Sequence, residues 1–311
     1  MFNLEKSISR INKTFLAFII FLIVVAVWNP LALIYGIQRG GLYSLIGLPL
    51  ALILGIVGIL NLAHGDFLTL GLYIGYIFFN LWGVDPLISS VPLFFIFFFI
   101  GIGLYLISIR YVLKAGHLNQ LLLTFGISMI LIEFIKIIWT TRPRSVYTPY
   151  ASRSIPVGNL SIGIYEFIYP VVAIAILILL QLFLKKTRLG QAASAVGQNP
   201  KGAEIIGINT NFVYLMVFSI AFGIIGIAAS IMLPRTPVFP LSGNSFTLKS
   251  FALAAMAGLG NLKGILIGGI TLGVAEAIVQ SIPGYSGWSD VVFFGVLIVV
   301  ILINANRRLE S

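Results

Sequence analysis

The chain has no cysteine among its 311 residues, only nine acidic side chains and only two histidines. The missing cysteine excludes disulfides, thiolate nucleophiles and zinc–thiolate sites. Charged residues make up 9% of the chain, against roughly 25% in a soluble domain. There is no G-x-x-x-x-G-K-[ST] phosphate loop and no Gly-Lys dipeptide, so this chain does not hold ATP in that way. No nucleophile elbow, no H-E-x-x-H and no carboxylate cluster is present either, which argues against an enzyme.

Apolar sequence takes the place of charge. Hydrophobic residues account for 59% of the chain, and the mean hydropathy is +1.08. The fold class expected is all-α, a polytopic transmembrane helix bundle. The net charge of +10 would suggest nucleic acid in a soluble protein. Here the basic residues sit between apolar spans, a pattern that reports topology in a lipid bilayer. A crossing takes ~20 apolar residues. With that template ten candidate segments fall at about 14–29, 40–61, 66–82, 87–109, 119–139, 165–184, 211–233, 247–259, 264–281 and 289–305. The eighth is short for a crossing, so about 8–10 membrane segments are expected. Residues 30–40 read as a connector that sets the first span apart. That span keeps no small-x-small cleavage site and is taken as retained, not as a signal peptide.

With the N-terminus inside, twelve Lys and Arg fall on inside segments and six outside, Arg39 and Lys249 among the six, with Lys136 inside a span. The positive-inside rule then places both termini in the cytoplasm of a multi-pass cell-membrane protein.

One polar interruption stands out, Lys185 to Asn209. Asn199 is suited to N-cap a helix, Pro200 to its first position and Gly207 to the left-handed residue past its end. The preceding stretch from Leu189 to Gly197 is rich in Ala, Ser and Gly. Two short helices outside the bilayer are expected here, with small side chains that let another protein approach. The outer loop 140–164 is extended by its proline content and is a connector or a contact for a delivery protein.

A second stretch, residues 58–73, joins two spans with almost no loop. Asn61, His64 and Asp66 gather at a break that Gly65 permits, and Asp66 is suited to cap the next helix. His64 beside Asp66 hints at a metal, but a structural ligand set has four members and His117 is the only other histidine. No metal is expected. Segments 61–82 and 247–264 are both glycine-broken, the kind of pair that marks a transport site between repeats. Intramembrane charges are costly and functional by default. Glu133 and Lys136 share a helix face and neutralise each other. Glu276 has no nearby partner in sequence. It is a pathway residue or is hydrogen-bonded to a neighbouring helix. Gly264/Gly268 and Gly269/Gly273 are small-xxx-small pairs for close helix packing.

Three stretches in this order, GLYSLIGLPLALILGIVGILNLAHGDFLTLGLY, TRLGQAASAVGQNPKGAEIIGIN and FALAAMAGLGNLKGILIGGITLGVAEAI, resemble the membrane permeases of branched-chain amino acid ATP-binding-cassette importers. The resemblance covers residues 35–305. It implies one permease domain over 1–311, with a tail and extra span at 1–34 and a cytoplasmic coupling loop at 185–209. In that family the loop docks on a cytoplasmic ATPase. By motif, Arg188, Gly190, Ala195, Asn199, Pro200, Ala203 and Gly207 form its framework. Gln191-Ala192 and Ser194-Ala195 stand where the family often has Arg-Ala, so this platform is less basic. The implied partners are ATPase subunits that carry ATP and Mg, a second homologous permease subunit and an extracytoplasmic solute-binding protein. The resemblance implies transport of branched-chain or other small neutral amino acids by alternating access. Relatives of the family carry urea or short amides, and sugar permeases are more distant kin. A proton-coupled secondary transporter using Glu133 or Glu276 is the reading that needs no partner.

Overall fold

The computed structural model describes residues 18–309 apart from 114, 158, 159 and 259. It is a helical bundle. Helix α1 (Phe18–Trp28) runs almost directly into α2 (Pro30–Ile56). Next come α3 (His64–Trp82), α4 (Pro86–Leu104), a π-helical turn at Tyr105–Ile109, the short α5 (Arg110–Val112) and α6 (His117–Trp139). A two-stranded hairpin follows, with β1 (Ser154–Val157) antiparallel to β2 (Leu160–Gly163) and Ile155 opposite Ile162. The chain continues through α7 (Ile168–Lys186), α8 (Arg188–Gln198), α9 (Pro200–Ile205) and α10 (Thr210–Met232). It ends in α11 (Asn244–Ala257), α12 (Leu262–Gln280) and α13 (Ser289–Leu309). The extended outer loop departs from all-α structure through this hairpin and through an isolated antiparallel bridge between Arg144 and Val238.

Six helices among the described residues are long and apolar enough to cross a membrane, and Phe18–Trp28 and Ser286–Val300 are shorter apolar helices. The chain is therefore a multi-pass membrane protein. Fewer segments qualify than the eight to ten expected. Helix α11 has 14 residues, about 21 Å, less than the ~30 Å hydrocarbon core. Helix α3 carries His64, Asp66, Thr69 and Asn80 in its 19 residues.

The connector expected at 30–40 is helical. Asn29 caps α2 by accepting from Ala32 N at 3.0 Å, and Pro30 occupies its first turn, so the helix starts ten residues before Gly40. The glycines inside α2 are contact points. Gly36 and Gly40 pack against Val274 and Ile270 of α12, and Gly41 packs against Pro170 of α7. On the facing side, a Cβ at Gly269 would lie 2.8 Å from the Gly40 carbonyl, and one at Gly273 2.5 Å from that of Gly36. The α2–α12 crossing is thus backbone to backbone, and any side chain there would wedge it open. Gly264 and Gly268 work differently. Their surfaces meet Ala257, Asn261, Met256 and Leu253 rather than another helix's backbone.

Helix α2 is the centre of the bundle, with 78% of its apolar window buried, while α6 buries only 11%. Around α2 the core is built from Leu45, Leu48, Leu50 and Ile53 with Phe97, Phe218, Phe222 and Ile265, all essentially inaccessible. At one end of the bundle lie α8 and α9. At the other lies the hairpin, tied down by Tyr35 OH to the Ser161 carbonyl (2.8 Å), Gln38 Nε2 to the Gly163 carbonyl (2.8 Å) and the Arg235–Glu166 ion pair.

Candidate functional site: the α8–α9 platform and the buried break

The platform is built from its caps upward. Thr187 is the N-cap of α8, its hydroxyl accepting from Gly190 N at 2.9 Å. Asn199 ends α8 and begins α9, its Oδ1 accepting from Gly202 N at 3.0 Å, with Pro200 in the first turn. The chain leaves α9 through Gly207 at φ 87, with Ile208 N bonded to the Ala203 carbonyl and Gly207 N to that of Glu204, both 3.0 Å. That pair of bonds is a Schellman closure, which suits glycine because the left-handed conformation carries no Cβ penalty there. The ends of both helices are therefore held by local bonds, while Ala193, Val196 and Ala203 anchor them to the core.

Gly190, Ala193 and Val196 form the buried face of α8. Gly190 fits because a Cβ would strike the Phe183 carbonyl. Arg188, Gln191, Gln198 and Asn199 face outward. Between α7, α8 and α9 lies a groove of about 490 Å³ lined by Lys185, Gln191, Ser194, Ala195, Asn199 and Ile206 among others. Beside it Ile205 and Ile206 are 85% and 74% exposed. Two bare isoleucines on a basic, polar segment are an unpartnered apolar contact. Glu204 is turned back on its own chain, accepting from the Thr210 hydroxyl at 2.7 Å.

The second locus is the break after α2. It spans residues 57–63, one step earlier than expected, and the glycine that turns it is Gly58 (φ 75) rather than Gly65. Helix α3 already begins at His64. Its N-cap is Ala63, and Asp66 lies within the first turn instead of capping it. Gly65 has another task. Its N donates to Thr247 Oγ1 of α11 at 2.9 Å, and its surface abuts the Gly243 carbonyl. The two glycine-broken segments thus meet at their helix N-termini. His64 Nε2 donates to the Ile46 carbonyl at 3.0 Å. Ile46 lies 16 residues after Pro30, about 24 Å along a helix about 40 Å long, so the meeting point is inside the bundle. Asn61 Oδ1 accepts from Ala63 N (3.2 Å). Thr124 of α6 closes the break by accepting from Leu62 N (3.3 Å) and donating to the Leu60 carbonyl (3.1 Å). Among the described residues no group of three or more His, Cys, Asp or Glu converges.

The two candidate carboxylates part company. Glu133 is 64% exposed and paired with Lys136 at 2.7 Å, on the outside of the bundle. Glu276 is buried and accepts from Tyr43 OH (2.5 Å), Arg39 Nη1 (3.3 Å) and Lys249 Nζ (3.3 Å). Arg39 and Lys249, counted as outer-loop charges, are helical residues of α2 and α11. The lone polarity of Glu276 was visible in the chain. Its partners, more than 200 residues away in the case of Arg39 and Tyr43, were not.

The family model for the permease component of branched-chain amino acid transport systems matches residues 32–302. The chain belongs to that family. Among curated relatives, the high-affinity branched-chain amino acid transport system permease protein BraD of Pseudomonas aeruginosa is 28% identical over 284 residues, covering 87% of this chain and 92% of the relative. The LivH permease of Salmonella typhimurium is 27% identical, covering 86% and 91%. The ribose import permease RbsC of Bacillus subtilis matches only 138 residues, 42% of each chain, at 27% identity. No solved structure matches.

Proposed function

We propose that this chain is the transmembrane permease subunit of an ATP-driven importer for branched-chain amino acids. The reading is supported by family membership along nearly the whole chain and carried by one structural observation, the self-capped α8–α9 platform with its open groove and bare Ile205–Ile206 edge. A cytoplasmic ATPase subunit is the partner that fits it, and ATP and Mg belong to that partner. A second permease subunit and a solute-binding protein complete the assembly, with the platform end and both termini in the cytoplasm.

The platform is joined to the bundle without cushioning. A Cβ at Gly197 of α8 would lie 2.9 Å from the Gly55 carbonyl at the end of α2, and Gly55 in turn abuts Gly260 in the α11–α12 turn. Force applied to α8 therefore reaches α2, α11 and α12 at once, because packed backbone cannot absorb it by a side-chain rotamer change. Alternating access follows if the ATPase contacts the platform differently in its two states. Glu276 is already engaged by Arg39 and Lys249 in this arrangement, which gives no support to a secondary transporter built on it.

Reconstitution with and without the ATPases tests the reading. Leucine uptake is expected only with ATPases and ATP. Uptake by the chain alone in a proton gradient would overturn it.

A further inference from the structure

The ammonium of Lys249 sits in a shell suited to any primary ammonium. Its Nζ lies 3.3 Å from Glu276 Oε2 and 3.0 Å from Asp290 Oδ1, and donates to the Tyr43 hydroxyl at 2.9 Å. The rings of Tyr43 and Phe293 lie 4.7 and 5.0 Å from it, within cation–π range, and meet edge to face at 5.5 Å. Two carboxylates, a hydroxyl and two ring faces from α2, α12 and α13 thus surround one ammonium. Neutralising Glu276 does not require it, because Arg39 already pairs with that carboxylate at 3.3 Å.

Lys249 enters from α11, the 14-residue helix that does not span the bundle. The box is not sealed. The Asp290 side chain is 69% exposed and that of Arg39 38%. Its rim lies at the hairpin end, where α12 finishes and α13 starts. Arg39 places a guanidinium, the usual partner of a carboxylate, on the same rim.

We propose that this box recognises the α-ammonium of the transported amino acid, with Lys249 as an internal stand-in that the solute displaces and Arg39 taking the solute's carboxylate. The identity of the solute rests on the proposed function. The box as an ammonium site does not.

The purified full-length chain carrying Lys249→Ala leaves the box vacant. Methylammonium is expected to raise its melting temperature, whereas tetramethylammonium, which has no N–H to donate, is not, and the unmodified chain responds to neither. Lys249→Met, which keeps the packing of the stem, is read the same way where the alanine variant does not fold. No methylammonium-specific rise in the recovered variant overturns the box. In the assembled importer, Asp290→Asn is expected to raise the half-saturating leucine concentration about tenfold, the loss of one charge-assisted hydrogen bond. An unchanged value overturns the transport role. A methylammonium response in an assembly that moves no leucine would leave the box standing and refute the proposed function instead.

Discussion

Replacing Glu276 by Gln keeps the shape of the side chain and removes its charge. The consequence can be worked through partner by partner. Arg39 is 38% exposed along its side chain, so its guanidinium turns toward solvent and the loss of that pair costs little. Lys249 is only 11% exposed. It keeps Asp290, but loses the carboxylate that sits on its buried side. Stripping one partner from a fully buried pair costs ~3–5 kcal/mol. The surviving Asp290 contact lowers the expectation to about 2–3 kcal/mol. Lys249→Met takes away the buried cation and leaves Glu276 with Arg39 and Tyr43, at a smaller cost. The double variant removes both buried charges together, so it should cost less than the sum of the two by about 1–2 kcal/mol. The assay is thermal unfolding of the purified chains at one fixed scan rate, since membrane proteins of this kind often unfold irreversibly. A Glu276→Gln chain within about 0.5 kcal/mol of the parent, or strictly additive single variants, would refute the idea that Glu276 and Lys249 hold each other in a low-dielectric site.

Four further outcomes are expected. Ala195→Trp fills the groove between α8 and α9, and Arg188→Glu reverses an exposed charge on α8; each should leave ATP hydrolysis by the assembled importer running while leucine uptake falls. Gly273→Leu cannot be accommodated where a Cβ already reaches the Gly36 carbonyl at 2.5 Å, so it should lower the melting temperature by the equivalent of about 1–3 kcal/mol or more, whereas Gly126→Leu, with nothing within 4 Å, should not. Single cysteines introduced at Tyr150 and Gln198 into this cysteine-free chain should label differently with an impermeant reagent on intact cells, Tyr150→Cys reacting and Gln198→Cys protected. Burial first, then the hydrogen bond it donates to Asp85, pushes the Tyr150 phenol up to about 12. Its raised pKa stabilises the fold fully below the ordinary tyrosine value near 10 and is lost between about pH 10 and 12. Tyr150→Phe should cost about 1 kcal/mol at neutral pH and flatten the melting curve's decline across that window.

The platform was the most legible part of the chain because its structure is local. Asn199 and Gly207 act through bonds to residues three positions away and Pro200 through its own fixed φ, so their spacing alone predicts two capped helices. The small-residue pair Gly269/Gly273 was legible for a similar reason, since a helix face without side chains implies close packing. Its partner was not, because Gly36 and Gly40 lie more than 200 residues earlier and their stretch reads as a connector. The break after α2 was found but displaced. Sequence grammar favours Asp66 as a cap and Gly65 as the turn, whereas the tertiary contact of Gly65 with Gly243 and Thr247 extends α3 back to His64.

Composition and local pattern were sufficient for a bilayer-embedded helical bundle with two short capped helices at one end, because lipid solvation and helix capping both act over one element at a time. Which charges neutralise one another was decided only in three dimensions. Arg39, Tyr43, Lys249, Glu276 and Asp290 lie on four helices, and an ion pair in a low-dielectric interior depends on distances of about 3 Å that no sequence spacing encodes.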